Sequence, residues 1–257
     1  MPKVINFIAP NGDNLVWLGQ SLNDTIIAGN GIQSLYGNAG DDLLVAGAGT
    51  QQLYGGSGQD TLVAGDGDQL YDGGAGNDTL DFSHLTGKLV IDQDLHYATI
   101  ADAASGAVLH TDSVTSFNKI IGSNAGNEFY AAANTSNTYV GGTGQDTYHS
   151  ENGGDTVTGG AGADTFGWFR KYAEVGHADR ITDFQMGTDK LDLRDFLKGQ
   201  AIKSPAYSDV IHLTDTIDQT GGHGTLVQGL VNGAWHDIVV LDGVDVQHVT
   251  VSDLARL

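Results

Sequence analysis

Residues 19–81 read GQSLNDTII, AGNGIQSLY, GNAGDDLLV, AGAGTQQLY, GGSGQDTLV, AGDGDQLYD and GGAGNDTLD, seven nine-residue units without a gap. The eighth position is apolar in every unit: Ile26, Leu35, Leu44, Leu53, Leu62, Tyr71 and Leu80. A period of nine fits neither a helix nor a plain strand. It fits a coil in which each unit makes one turn and one short strand. The eighth residue then points inward, and stacked coils bury a continuous apolar row. The sixth position alternates. Asp24, Asp42, Asp60 and Asp78 are spaced by 18, and Gln33, Gln51 and Gln69 interleave at the same spacing. The structural period is therefore 18, two units per coil, with aspartate on one edge of the stack and glutamine on the other.

A second block begins at Ser123: SNAGNEFYA, AANTSNTYV, GGTGQDTYH, SENGGDTVT, GGAGADTFG. Its sixth positions are Glu128, Asn137, Asp146, Asp155 and Asp164, and its eighth positions Tyr130, Tyr139, Tyr148, Val157 and Phe166. This reading puts acid on both edges of the second block, with the eighth-position aromatics in the core. Residues 82–122 break the period. KLVIDQ, YATIAD, AVLHT and FNKIIG read there as strands between turn residues. INFIA and LVWL, within residues 1–18, are expected to cap the open edge of the first coil. Beyond Gly167, in residues 168–257, LDLRDFL allows a short helix, and VIHLTD, TLVQGLV and DIVVLDG alternate as strands. A start methionine and a distinct N-terminal cap favour a complete small protein.

The charge balance narrows the function. The chain has 257 residues, 38 of them glycine, and 32 acidic side chains against 11 Lys and Arg give a formal net charge of −21. A sequence-independent nucleic-acid binder needs the opposite sign. There is no cysteine, which excludes disulfides, thiolate metal sites and thiol catalysis. No apolar run is long enough to span a bilayer, and the N-terminal run is too short for a secretory signal peptide.

Ca²⁺ takes six to eight oxygen ligands from carboxylates and carbonyls. A G-G-x-G-x-D turn supplies both, because glycine lets the backbone aim its carbonyls inward. One turn gives too few oxygens. Two turns stacked one coil apart complete a shell, which places ions between Asp42 and Asp60 and between Asp60 and Asp78. Without cations the aspartate row is a column of like charges about 5 Å apart, costing about 1 kcal/mol per neighbouring pair even in water-like dielectric. Glutamine is a poorer ligand, and its stacked amides are expected to hydrogen-bond along the row as amide ladders do. The first block is therefore expected to bind along one edge only, and the second around Asp146, Asp155 and Asp164.

The units GGSGQDTLV, GGAGNDTLD, GGTGQDTYH and GGAGADTFG resemble the nonapeptide of the RTX family, the repeat for which Ca²⁺ binding is the general rule. ADRITDFQMGTDKLDL resembles the region that follows the repeats in type I secreted proteins. The resemblance implies an all-β fold: a right-handed parallel β-roll in two blocks, closed by N-terminal and C-terminal caps. It implies several Ca²⁺ ions. The ligating residues it implies are Asp42, Asp60 and Asp78 with Gly55, Gly58, Gly73 and Gly76 in the first block. In the second they are Asp146, Asp155 and Asp164 with Gly141, Gly144, Gly159 and Gly162, and Asp179 and Asp183 join a last site. It also implies a bacterial extracellular protein, exported by the type I secretion machinery on a C-terminal signal. Asp24 sits in a unit lacking most glycines and is expected to cap rather than bind.

Catalytic signatures are missing. No H-E-x-x-H, G-x-S-x-G or phosphate-binding loop occurs, and the nine histidines read as surface residues. Trp168 with Phe169, Arg170 and Lys171 forms the most exposed aromatic-basic cluster on this reading. The chain is expected to be a non-enzymatic binding or surface protein: an adhesin, matrix or surface-layer component. The alternatives are a polysaccharide-binding accessory module of a secreted enzyme such as an alginate epimerase, and a secretion and folding module of a larger toxin or adhesin. Extracellular polysaccharide or a cell surface is the partner these readings imply.

Overall fold

A computed structural model describes residues 6–151, 153–168, 178–198, 208–231, 233–250 and 253. Its contacts divide the chain into two compact units, Met1–Asn127 and Glu128–Leu257. Strands dominate both, and the described α-helix is the single turn Arg194–Leu197.

In the first unit the nine-residue units alternate between two parallel sheets. One carries Asn6–Ile8, Thr25–Ile27, Leu43–Val45, Thr61–Val63, Thr79–Asp81 and Lys119–Ile121. The other carries Leu15–Leu18, Gln33–Ala39, Gln51–Ser57, Leu70–Ala75 and Val108–Thr115. Ile26 pairs with Leu44, Leu44 with Leu62 and Leu62 with Leu80, each step one 18-residue coil. Leu35, Leu53 and Tyr71 form the matching row on the other sheet. All seven eighth-position side chains are buried, as the apolar period predicts. Each contributes about 1.5–3 kcal/mol by leaving water. The period thus sets the core, and the core sets the register.

The two N-terminal runs lie parallel against Thr25–Ile27 and Gln33–Ala39, one on each sheet. Residues 82–122 do more than interrupt. Lys88–Asp92, Tyr97–Ala101 and Val108–Thr115 form an antiparallel meander. Its last strand then returns parallel to Leu70–Ala75, and Lys119–Ile121 returns parallel to Thr79–Asp81. The coil is resumed after a gap of 40 residues or more in sequence: Asn118 Oδ1 accepts from the Asp78 N–H and Asp112 Oδ1 from the Gln69 N–H.

In the second unit one sheet holds Asn127–Tyr130, Thr147–Ser150, Thr165–Trp168 and Lys190–Asp192 in parallel. The other holds Thr138–Gly142, Thr156–Gly160 and Asp179–Ile181, then Ala234–Asp242 in parallel. His223–Val231 and Ile211–Ile217 complete that sheet as an antiparallel meander. Phe129, Tyr139, Tyr148, Val157, Phe166, Ile181 and Leu191 fill the interior.

One register differs from the sequence reading. The buried residues of the first unit of the second block are Asn127 and Phe129, not Glu128 and Tyr130. The unit runs over residues 122–130, and Ala131 is one extra residue before the next. Phenylalanine takes the dry side. Tyr130 stays half-buried on the outside, its hydroxyl donating to Glu128 Oε1 at 2.7 Å and its ring stacked on His149 at 4.4 Å.

Candidate metal centre

The aspartate turns are built on the same bond. The backbone N–H of a sixth-position residue donates to the side-chain oxygen of the sixth residue one coil on. Asp24, Asp42 and Asp60 donate in this way to Oδ1 of Asp42, Asp60 and Asp78, at 2.7, 2.8 and 2.8 Å. One carboxylate oxygen is thereby used to space the coils. The other has a different environment. Oδ2 of Asp42, Asp60 and Asp78 is buried, with no hydrogen-bond partner among the described residues. A buried acceptor left in that state costs about 1–3 kcal/mol, more when charged.

What surrounds these oxygens is backbone carbonyl. A methyl group at Gly55 would fall 2.5 Å from both Asp60 Oδ2 and the Gly73 carbonyl oxygen. At Gly37 it would meet Asp42 Oδ2 and the Gly55 carbonyl, and at Gly73 it would meet Asp78 Oδ2 and the Ser116 carbonyl. The first-position glycine is thus the hollow into which an acid oxygen and a carbonyl oxygen both point. The fourth-position glycines serve the stacking. Gly58, at φ +136°, would press any side chain into the Gly40 carbonyl, and Gly76 repeats this one coil on against Gly58.

Burial pushes the Asp60 carboxyl up to about 6, and the neighbouring charges of Asp42, Asp78 and Asp41 add to it against the lowering by the Asp42 N–H. Burial likewise raises Asp42 and Asp78. Among the described residues no three His, Asp or Glu side chains converge on one point. A cation here would be held by one or two carboxylates together with backbone carbonyls, the donor set of a hard, oxygen-seeking ion. Orphaned acid oxygens, glycine hollows and inward carbonyls fit Ca²⁺.

In the second unit one row repeats this pattern. Asp146 donates to Asp164 Oδ1 at 2.9 Å, and Asp164 to Asp189 Oδ1 at 3.0 Å. Gly141 is flanked by Asp146 Oδ2 and the Gly159 carbonyl, Gly159 by Asp164 Oδ2, and Gly162 by the Gly144 carbonyl. Asp164 Oδ2 is again buried with no hydrogen-bond partner among the described residues, and burial raises its pKa.

The other row, also expected to ligate, is arranged differently. Asp155 Oδ2 accepts from the Tyr148 hydroxyl at 2.6 Å, and Asp179 Oδ2 from the Trp168 indole N–H at 2.7 Å. Their Oδ1 atoms accept from the N–H groups of Asn137 and Asp155. Protein donors reach both oxygens of both carboxylates. Asp183 is also engaged, accepting from the Gly159 and Gly160 N–H groups at 2.9 and 2.8 Å. Burial drives the Asp155 carboxyl up to about 7, with the Asp179 charge adding to it.

Two further readings change. Trp168 is 8% exposed rather than a surface aromatic; Phe169, Arg170 and Lys171 lie outside the described residues. His110 is buried, its Nδ1 3.4 Å from Asp112 Oδ1, and is not a surface histidine. Asp24 uses its Oδ2 to accept from the Gln20 N–H at 2.6 Å, which caps the first turn. The sequence reading missed Gly37, Asp112, Asn118 and Asp189. Each of the last three carries a signal that could have found it: a sixth-position residue two places before a buried apolar one, as in Asp112-Ser113-Val114, Asn118-Lys119-Ile120 and Asp189-Lys190-Leu191.

Comparison with known proteins agrees with this architecture. The family described as Peptidase M10 serralysin C terminal matches residues 69–209, more than half of the chain. The RTX calcium-binding nonapeptide repeat (4 copies) matches residues 18–50 and 46–80. Both are repeat or C-terminal regions rather than catalytic domains. No curated protein matches the chain in sequence. The AlgE6R3 subunit of the Azotobacter vinelandii mannuronan C5-epimerase, a solution structure, is similar at 17% identity and a TM-score of 0.28, over 95% of this chain and 80% of that one. The extracellular lipase LipA from Serratia marcescens, a crystal structure, is similar at 16% identity and a TM-score of 0.32, over 97% of this chain and 41% of the lipase. The chain is an all-β, parallel β-roll protein that belongs to the serralysin C-terminal family and carries RTX calcium-binding nonapeptide repeats.

Proposed function

We propose that this is a secreted calcium-binding protein whose aspartate edges take up Ca²⁺ outside the cell and fold as they do so. The observation that carries the proposal is the row of buried Oδ2 atoms on Asp42, Asp60 and Asp78, each facing a glycine hollow and a carbonyl oxygen, with Asp164 Oδ2 likewise buried and facing the hollow at Gly159. Asp42, Asp60 and Asp78 with Gly37, Gly55 and Gly73 would hold the ions of the first unit, and Asp146 and Asp164 with Gly141 and Gly159 those of the second. Bound Ca²⁺ supplies positive charge and an oxygen-seeking centre. The residues supply spacing: Oδ1 fixes the distance between coils, Oδ2 the inward charge, and glycine the room.

Folding and binding then share one free energy. At the millimolar calcium of extracellular fluids, modules of this kind bind at about 10⁻⁴–10⁻³ M. Export as an unfolded acidic chain by the type I machinery, with folding outside, suits a net charge of −21.

The role of the folded roll is non-enzymatic binding on this reading. It is supported by the outer face of the first unit, where the rings of Tyr36 and Tyr54 stack at 4.7 Å beside Leu18, itself 61% exposed. Such a face suits a surface or matrix partner, extracellular polysaccharide included. Circular dichroism with chelator and with millimolar calcium tests the coupling. A β signal that grows with calcium and vanishes with chelator is expected, and a chain equally folded in both would overturn it.

A further inference from the structure

Gln33, Gln51 and Gln69 stand opposite the aspartate row and are as deeply buried. Of their side-chain oxygens, Gln69 Oε1 does the work of the aspartate Oδ1, accepting from the Gln51 N–H at 3.0 Å, whereas Gln51 Oε1 accepts from the Gly47 N–H of its own unit at 2.7 Å. Their amide nitrogens lie among backbone carbonyls. Gln51 Nε2 donates to Gly29, Ala48 and Gly31 at 3.0, 3.2 and 3.3 Å. Gln69 Nε2 donates to Gly49, Asp66 and Gly47 at 2.8, 3.4 and 3.5 Å. Gln33 Nε2 donates to Pro10, Asn30 and Gly12 at 3.0, 3.3 and 3.5 Å. In each case the three carbonyls come from two successive turns. The amides therefore do not ladder to one another, as the sequence suggested; they point into the carbonyls.

We propose that each glutamine amide stands in for a cation, so that the glutamine edge of the first unit closes without calcium. An electropositive NH₂ satisfies carbonyls of two adjacent turns, as a bound cation would on the aspartate edge. The inference rests on the calcium reading of that opposite edge. The residue at position one follows the same division. It is Gly37, Gly55 and Gly73 in the aspartate units, where a methyl would collide with the free acid oxygen, and Ala28, Ala46 and Ala64 in the glutamine units. From the second coil on, the pair of positions one and six, Gly with Asp or Ala with Gln, marks which turns take an ion; in the first nine-residue unit Asp24 stands with Gly19 but spends its Oδ2 on the Gln20 N–H. The second unit closes one edge by another route to the same end, with Tyr148 and Trp168 donating to Asp155 and Asp179.

The test is Gln51→Glu, which keeps the shape and replaces the donor by an acceptor. Calcium stoichiometry is read by isothermal titration, and folding by circular dichroism with and without chelator. The variant is expected to need more calcium than wild type to fold, and to bind one ion more than wild type once folded. Gln51→Met, which removes the donor without adding charge, is expected to weaken the fold with no added ion. Unchanged stoichiometry and folding in Gln51→Glu, or failure of calcium to restore its fold, would overturn the proposal. So would a calcium-loaded crystal structure with an ion coordinated by the carbonyls of Gly29 and Gly31. If wild type binds no calcium at all, the aspartate-edge reading fails instead. Gln51→Met then still reports whether the amide holds the edge together.

Discussion

Replacing Asp60 by Asn should change stability in opposite directions with and without calcium. Asn keeps the Oδ1 that accepts from the Asp42 N–H and places an amide where Oδ2 lies beside the Gly73 carbonyl. In the absence of cations the wild-type carboxyl is a liability: burial lifts it to about 6 from an ordinary 3.8. At neutral pH a shift of that size corresponds to at most about 3 kcal/mol, and screening by water and counter-ions at the turn reduces it to about 1–2 kcal/mol. Asp60→Asn removes that cost and adds a donor toward the carbonyl. With millimolar calcium the sign reverses. The variant loses a charged ligand worth about 2–3 kcal/mol, which is a rise of about 30- to 150-fold in the calcium needed at the midpoint. The assay is forced folding by trimethylamine oxide in chelator, alongside calcium titration, both followed by circular dichroism. The variant should fold at lower osmolyte and at higher calcium than wild type. A shift of the same sign in both arms would refute the assignment of Asp60 to a cation.

Four further outcomes follow from the same geometry. Gly55→Ala should shift calcium-dependent folding to much higher calcium, because its methyl meets Asp60 Oδ2 and the Gly73 carbonyl; Ala46→Gly on the other edge should cost only about 0.5–1 kcal/mol, and parallel calcium titrations compare the two. In calcium-free buffer the raised carboxyls of Asp60, at about 6, and Asp155, at about 7, hold protons in the fold that the unfolded chain releases. Their stabilising effect is full below pH about 4 and lost as pH rises through 6 to 7, so β signal should increase on acidification from neutral to about pH 5; a signal that falls over that range counts against it. Tyr148→Phe should cost about 1–3 kcal/mol by orphaning Asp155 Oδ2, with little change in calcium stoichiometry, as thermal melts and titration would show. Leu53→Ala, at a fully buried position of the inner row, should cost about 2–5 kcal/mol in denaturant midpoint at fixed calcium.

The 18-residue coil was legible because two independent signals share it: the apolar eighth position and the Asp–Gln alternation at the sixth. Either one alone leaves the register open. Where only one survives, the reading slips. At residues 122–130 no aspartate marks the sixth position, and Phe129 and Tyr130 are both aromatic, so the extra residue Ala131 went unseen. Asp112, Asn118 and Asp189 escaped for a different reason. They follow their partners by 43, 40 and 25 residues instead of 18, so a fixed period cannot find them even though each completes a coil. The fate of Asp155 and Asp179 was not legible at all. Whether a buried acid keeps a free oxygen depends on what the neighbouring coil offers, and the sequence marks the donors here, Tyr148 and Trp168, only as a core and a surface aromatic. The first-position residue carried that information all along, as Ser150 in the Asp155 unit and Gly159 in the Asp164 unit, but only the hollow at Gly55 shows why it matters.

The division of the first unit into two edges has a consequence for how it assembles. Each coil must close two turns, one bearing Gln and one bearing Asp. The glutamine amides satisfy backbone carbonyls without an ion, so the main cost of these turns is the ordinary entropy of ordering a glycine-rich segment. The aspartate turn adds a charge and an orphaned oxygen to that cost. The N–H to side-chain bond links coils along both edges, from Asp42 to Asp60 to Asp78 and from Gln51 to Gln69 to Asp112. Neighbouring coils are thereby coupled, and a coil ordered on its glutamine side presents its aspartate side already in place. Ligand oxygens fixed before the ion arrives lose less entropy on binding. On the proposed calcium reading the neutral edge would let the charged edge act as a switch: it would bring the carboxylates close enough to repel when calcium is scarce and to coordinate when it is abundant. If both edges carried acid, the scarce state would be more strongly repelled but the abundant state would need twice the ions per coil. With both edges carrying glutamine the roll would close without calcium and nothing would hold it open inside the cell. One edge of each kind is the arrangement in which folding follows the calcium concentration with the fewest ions.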